Sequence, residues 1–245
     1  MINEIILAII QAATEFLPIS SSGHLALFSN LLSEPNLFFF TVLHLASLIA
    51  VLIFTRKEIF ELVSFKKEYR RLGVYLIIAT IPAVIVGLFF NDLIEQSFSS
   101  FLFLGIMFMF TGIILFLTKF TKQYSKFNWK NSVLIGLFQA LALFPGVSRS
   151  GMTISSALFL GINREKAAKF SFLLFIPLAL GAFVLKLGDF YFNVSLVLSF
   201  IVCLIFSLFF LKLLLVIIKR NLFWIFSIYC FLIGIISFIL YFLGV

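Results

Sequence analysis

Apolar runs with at most one charged residue occupy 37–55, 72–90, 101–118, 170–188, 194–218 and 223–243 of the chain, each close to the roughly 20 residues that carry a helix across a bilayer. Only a helix satisfies its own backbone polar groups in hydrocarbon, so each run predicts a transmembrane helix. Two further apolar stretches, 2–32 and 132–161, are long enough to span but are interrupted midway by Pro, Gly, Ser and ionisable residues. These predict broken, re-entrant helix pairs.

The loops sort by basic charge. Arg56, Lys57, Lys66, Lys67, Arg70 and Arg71 fill 56–71, with four basic residues in 119–130, three in 164–169 and two at 219–220; 91–100 and 189–193 hold none. Basic loops stay on the cytoplasmic side, which makes the six clear spans alternate and requires each broken segment to enter and leave on one side. Both termini are then expected outside. An internal repeat follows the same division: "QAATEFLPISSSGHL" from Gln11 aligns without a gap on "QALALFPGVSRSGMT" from Gln139, 128 residues on. Each half holds one broken pair and three spans, an odd number, so the halves, about 1–118 and 132–245, are expected to be inverted within a single membrane domain, 1–245. Inverted halves with discontinuous helices place a polar site near the bilayer midplane. The expected fold is thus an all-α polytopic membrane protein with an inverted-topology repeat, six full transmembrane helices and two broken re-entrant pairs.

Composition excludes the soluble alternatives. Of 245 residues, 63% are hydrophobic, 36 are Phe and 11% are charged, against about 25% charged in an ordinary globular domain. A soluble enzyme, a nucleic-acid-binding domain and a disulfide-stapled secreted module are all excluded. The net charge of +8 reports loop topology and no nucleic-acid partner. Cys203 and Cys230 lie in apolar runs without metal-ligand spacing, as inert buried thiols. The first basic residue is Arg56, so the N-terminus lacks the basic region of a cleaved signal and the first segment is expected to be retained.

The chemistry concentrates at the two breaks. Gln11 and Glu15 share a helix face at i and i+4 before Pro18; Ser20, Ser21, Ser22 and Gly23 then open a half-helix on which Ser21 and His24 share a face. In the second motif Pro145-Gly146 precedes Ser148, Arg149, Ser150 and Gly151, with Arg149 and Thr153 on one face. Helix N-termini present free N–H groups and partial positive charge, so two of them with an Arg and several hydroxyls suit an oxygen-rich anion, phosphate or diphosphate. A hydroxyl, an imidazole and a carboxylate add what hydrolysis needs. The catalytic candidates are Ser21, His24, Glu15 and Arg149; Gln11, Ser20, Ser22, Ser148, Ser150 and Thr153 are substrate-binding candidates. Ser21, Ser20, His24 and water all stand as the attacking group, and no residues are assigned to a metal. His44, within a clean span, is a second-rank candidate, expected to bond a neighbouring helix, so that His44→Asn is mild. Lys212 is expected to snorkel, Trp129 and Trp224 to anchor at interfaces, and Glu58, Glu61 and Glu68 to pair in solvent with basic neighbours.

At these residues the sequence resembles the bacterial undecaprenyl-diphosphate phosphatase family, the type associated with bacitracin resistance. Gln11-x-x-x-Glu15 with Phe16 to His24 looks like its first signature and Pro145 to Thr153 its second, and the likeness extends over essentially the whole chain. The resemblance implies a multi-pass enzyme of the bacterial inner membrane that removes the terminal phosphate of a C55 isoprenyl diphosphate, recycling the lipid carrier for cell-wall synthesis. It implies membrane lipids as surroundings and a Mg2+ or Ca2+ requirement; the expected outward opening of the first hairpin places the site on the outer side, and the sequence leaves a homodimer open. Gln11 stands where the family's paired-carboxylate pattern has its first acidic position, which leaves one carboxylate, so such a cation would be held mainly by the substrate's diphosphate. The alternative from another class is a secondary transporter or flippase for a phosphorylated lipid or small anion, coupled through Glu15 or His24.

Overall fold

The computed structural model describes residues 2–31, 37–64, 67–125, 127–185 and 193–244. Lys66, Lys126, residues 32–36 at the close of the first broken segment, and 186–192, where the span expected at 170–188 ends and the loop expected at 189–193 begins, lie outside them.

The described residues form helices and no strand. The first broken segment resolves into α1 (Ile2–Phe16) and α2 (Ser21–Leu31), followed by α3 (Leu37–Phe54), a short α4 (Arg56–Val63), α5 (Lys67–Phe89), a short α6 (Asn91–Ser97) and α7 (Phe101–Leu117). The second resolves into α8 (Trp129–Leu141) and α9 (Arg149–Phe159), followed by α10 (Arg164–Leu185), α11 (Val194–Lys219) and α12 (Phe226–Leu243). At 1.5 Å per residue, α1 and α8, with 15 and 13 residues, end well short of the roughly 30 Å hydrocarbon thickness. Four helical segments, Tyr69–Phe89, Phe101–Phe120, Val194–Lys219 and Phe223–Leu243, are long and apolar enough to cross alone, and α3 joins them if counted with α4, to which it is bent by 70°. The sequence reading expected six. α10 has the length, but Arg164, Glu165, Lys166 and Lys169 occupy its first turns and its far end meets undescribed residues.

The two halves exchange equivalent elements. α1 of the first half packs along α11 of the second, α8 of the second along α5 of the first, and α7 lies along α12. Within α7, Gly105 and Gly112 leave room for the rings of Phe238 and Phe231. Ser47 of α3 meets Ser207 of α11 at 3.3 Å, and Cys203 donates to the Leu43 carbonyl, interhelical bonds of the kind that hold membrane helices together. Cys203 and Cys230 are buried free thiols. The main cluster of buried apolar residues runs from Phe16 and Leu48 through Ile154, Ala157 and Leu158 of α9 to Phe172 and Leu174 of α10. α9 is buried from Ser150 to Leu158, and its run of Ser, Gly, Thr and Ala lets neighbouring backbones approach closely.

At the basic end, Lys169 bonds Glu58 at 2.8 Å and Glu165 at 3.3 Å, Lys219 bonds Glu165 at 2.9 Å, and Arg164 donates to Asn221. Glu58 therefore pairs across helices rather than within its own loop. Lys212 is exposed, and Trp129 and Trp224 carry Lys130 and Lys119 over their rings. The Lys219 bond holds the Glu165 carboxyl below its ordinary range, so its contribution is present above that range and is lost as pH falls through the depressed value. Glu165→Gln should lower the thermal unfolding temperature in detergent slightly at neutral pH, by the equivalent of about 0–1 kcal/mol for an exposed pair, and should melt like wild type in acid. A difference that persists in acid would remove the ion pair as its cause.

The two breaks touch. A Cβ on Gly23 would fall 2.7 Å from the Gly146 Cα and 2.6 Å from the Phe108 ring, and one on Gly151 would lie 3.4 Å from the Pro18 ring. Gly146 itself has φ +90°, a left-handed conformation that suits glycine. Gly23→Ala should therefore sharply reduce folded protein in fluorescence-detected size-exclusion, while Gly181→Ala, with nothing within 4 Å of the new methyl, should elute normally. Equal yields of the two variants would show that the breaks are not packed this closely.

Candidate active site

Each break is closed by serine in the same way. Ser20 Oγ accepts from the Gly23 amide at 3.2 Å and lies 3.4 Å from Ser22 Oγ; Ser148 Oγ accepts from the Gly151 amide at 3.1 Å and lies 3.3 Å from Ser150 Oγ. These four hydroxyls, candidates for substrate binding by sequence, are engaged in capping half-helices. The caps leave the first amides of each half-helix, Ser21 and Ser22 on one side and Arg149 and Ser150 on the other, without intrahelical acceptors. The first helical residue is Ser21 in one motif and Arg149 in the other, at equivalent positions of the repeat.

Those two side chains converge on Glu15. Ser21 Oγ donates to Glu15 Oε2 at 2.8 Å, and Arg149 Nη2 donates to Glu15 Oε1 at 3.0 Å. Gln11 Nε2 also donates to Oε2, at 3.1 Å, while its Oε1 is buried with no donor among the described residues. Arg149 Nη1 donates to the Ser171 carbonyl of α10 at 3.3 Å, and the guanidinium stacks 4.3 Å above Phe175, whose ring also meets Phe16 edge-on. A guanidinium has five N–H donors, so three remain after these two bonds. Thr153 is buried and bonds Ser171 Oγ at 2.6 Å, tying α9 to α10.

The histidines divide differently from the sequence reading. His24 Nδ1 donates to the Ser20 carbonyl at 2.7 Å, and Nε2 lies 2.7 Å from the Tyr229 hydroxyl, which donates to it when the ring is neutral. Both nitrogens are engaged, and the ring is enclosed by Tyr229 and Phe108. Ser20 has φ +67°, uncommon for a residue with a side chain, and the His24 bond fixes that turn just before Ser21. His44, ranked second by sequence, is the histidine that faces the carboxylate, with Nε2 3.4 Å from Glu15 Oε2. Ser171, Phe175 and Tyr229 went unnoticed in the sequence because the first meets Arg149 through its backbone carbonyl and all three lie in apolar runs.

Among the described residues no three His, Cys, Asp or Glu side chains converge, and the oxygens of Glu15 already accept from Arg149, Ser21 and Gln11. The donor set does not fit a cation held by the protein.

A buried carboxylate bonded to a hydroxyl and a guanidinium, at the meeting of two broken helices, sets the polar centre of an all-α polytopic membrane protein. The chain belongs to the family described as bacitracin resistance protein BacA, which it matches over residues 4–236. It is 45% identical to an undecaprenyl-diphosphatase of Thermosipho africanus, over 96% of this chain and 98% of the relative. Proteins of the same description from Methanococcus maripaludis, 44% identical over 82% and 84% of the two chains, and Methanobrevibacter smithii, 40% identical over 97% and 96%, are also similar.

Arg149 tests the geometry. Arg149→Lys keeps the charge on Glu15 but offers a point charge in place of a planar fork, so it should reach the membrane folded and lose activity by about 10²-fold or more. Arg149→Met strands a buried carboxylate and should be destabilised by about 3–5 kcal/mol. Lysine activity near wild type, measured as phosphate release, would show that the fork is not used.

Proposed function

We propose that this protein hydrolyses undecaprenyl diphosphate to undecaprenyl phosphate and inorganic phosphate, recycling the lipid carrier of cell-wall synthesis and so conferring bacitracin resistance. The observation that carries the reading is the Glu15 carboxylate shared between the Ser21 hydroxyl and the Arg149 guanidinium. The names of its relatives, which match it over most of their length, point to the same reaction. Ser21 is the attacking group. Of the other candidates, Ser20 caps its half-helix and the His24 nitrogens are engaged.

Arg149 and the free amides of both half-helices hold the diphosphate oxygens. Ser21 Oγ bonds to the terminal phosphorus as the bond to the bridging oxygen breaks, and its proton passes to Glu15. Water then cleaves the phosphoserine. Positioning and charge neutralisation supply most of the catalysis, as in phosphoryl transfer generally. A Mg2+ or Ca2+ ion, if required, would be held mainly by the substrate's own oxygens and would neutralise part of their charge. Gln11 and Thr153 act by placing Glu15 and α10.

The halves are inverted in the bacterial inner membrane, the basic loops face the cytoplasm, and the site opens to the outer side with the isoprenyl chain in lipid. The unequal distribution of basic residues supports this orientation. Each buried CH2 contributes about 0.8 kcal/mol, so the tail stays in the bilayer while the headgroup reacts. Protein reconstituted with its outer face exposed should release phosphate from farnesyl diphosphate much faster than from inorganic diphosphate, and Ser21→Ala should release almost none. Equal rates on the two compounds, or release from inside-out vesicles alone, would refute the substrate or the side. A transporter would release no phosphate at all.

A further inference from the structure

Three side chains approach Glu15 Oε2: the Ser21 hydroxyl, the Gln11 amide and the His44 imidazole. Of these only imidazole ordinarily changes charge near neutrality. His44 Nδ1 lies 2.8 Å from the Phe40 carbonyl, which can only accept, so Nδ1 carries a proton. Nε2 faces a carboxylate, which when ionised also only accepts, so the contact is attractive when Nε2 is protonated too. Protonated at both nitrogens, His44 would stand as an imidazolium against Glu15. The His44 side chain is 39% exposed, against 7% for Glu15 and 15% for Arg149, and forms the open edge of the site. Among the described residues Glu15 of α1 faces it, with Arg149 of α9 across that carboxylate; on α11, Cys203 bonds the neighbouring Leu43 carbonyl.

We propose that His44 is a catalytic residue, the general acid that protonates the leaving oxygen and is reset by Glu15. The proposal rests on the phosphatase reading above. As Ser21 Oγ bonds to the terminal phosphorus, the bond from that phosphorus to the bridging oxygen breaks and its electron pair stays on the oxygen. Ser21's proton passes to Glu15 Oε2. The Nε2 proton of His44 passes to the bridging oxygen, which departs as isoprenyl hydrogen phosphate. Glu15 then returns its proton to Nε2, so carboxylate and imidazolium stand as before. Gln11 cannot share this work because its amide does not titrate, and Arg149 does not give up its proton.

The test measures phosphate release from farnesyl diphosphate by the full chain in detergent. His44→Gln offers an amide donor to Glu15 but cannot cede a proton. It should lower kcat by about 10²-fold or more, change KM little, and remove the fall of wild-type kcat with rising pH that His44 deprotonation produces. In His44→Ala, added imidazole should restore part of the lost kcat, a rescue that a purely structural histidine would not show and that keeps the test valid if the glutamine variant misfolds. Wild-type kcat in His44→Gln, a loss confined to KM, an unchanged pH profile, or His44→Ala activity indifferent to imidazole would each overturn the proposal. A wild-type protein that releases no phosphate would instead refute the phosphatase reading itself.

Discussion

The fold depends on one ion pair buried in a bilayer, Glu15 with Arg149 at 3.0 Å. A lone charge at that depth is costly, and removing one member of a buried pair typically costs about 3–5 kcal/mol because the other is left uncompensated. The partners come from opposite halves of the chain, one from the last turn of α1 and one from the first residue of α9. Pairing Arg149 with Glu15 therefore requires the two helix breaks to meet. Gly23 against Gly146, and Gly151 against Pro18, are the small surfaces that let them do so.

The meeting produces a scaffold that is symmetric in its bonds and asymmetric in its chemistry. Ser20 and Ser148 cap their half-helices alike, and Ser22 and Ser150 bond those caps alike. The repeat then diverges where reaction is expected: Ser21 corresponds to Arg149, Glu15 to Leu143 and His24 to Met152. One motif supplies hydroxyl and carboxylate, the other a fixed positive charge. Neither half could build the arrangement alone, since an anion site and the base beside it need opposite charges on facing helix ends.

Much of this was legible in the sequence because the signals are large. Apolar runs near 20 residues and two interruptions point to an all-α membrane protein, and the motifs at the interruptions contain Glu15, Ser21 and Arg149, which the structure brings into contact. What escaped depends on helix rotation, which hydropathy does not report in a span apolar on every side. His24 sits within a motif and His44 within a plain run, yet packing turns the first onto Ser20 and Tyr229 and the second onto Glu15. The motif serines are candidate ligands because hydroxyls bind phosphate, and the structure adds that Ser20 and Ser148 also cap the amides of their own half-helices. The Ser171 carbonyl was invisible for a simpler reason: backbone groups carry no sequence signal.

Charge arithmetic connects the pair to the reaction. A terminal phosphate alone carries about −1.5 to −2 near neutrality, and the second phosphate of a diphosphate adds to that. Glu15 cancels Arg149, so with a neutral His44 the fixed side-chain charge of the pocket is zero, and only two half-helix termini, worth about +0.5 each, would receive the anion. An imidazolium at His44 gives the pocket a net positive charge without a second metal-binding carboxylate, and a divalent ion carried on the diphosphate would offset the rest. Under the proposed mechanism the carboxylate would accept the Ser21 proton and hold Arg149 and a protonated His44 in place before substrate arrives. Arg149 in turn stacks on Phe175, so the fork is oriented before the anion enters and little reorganisation remains for the transition state.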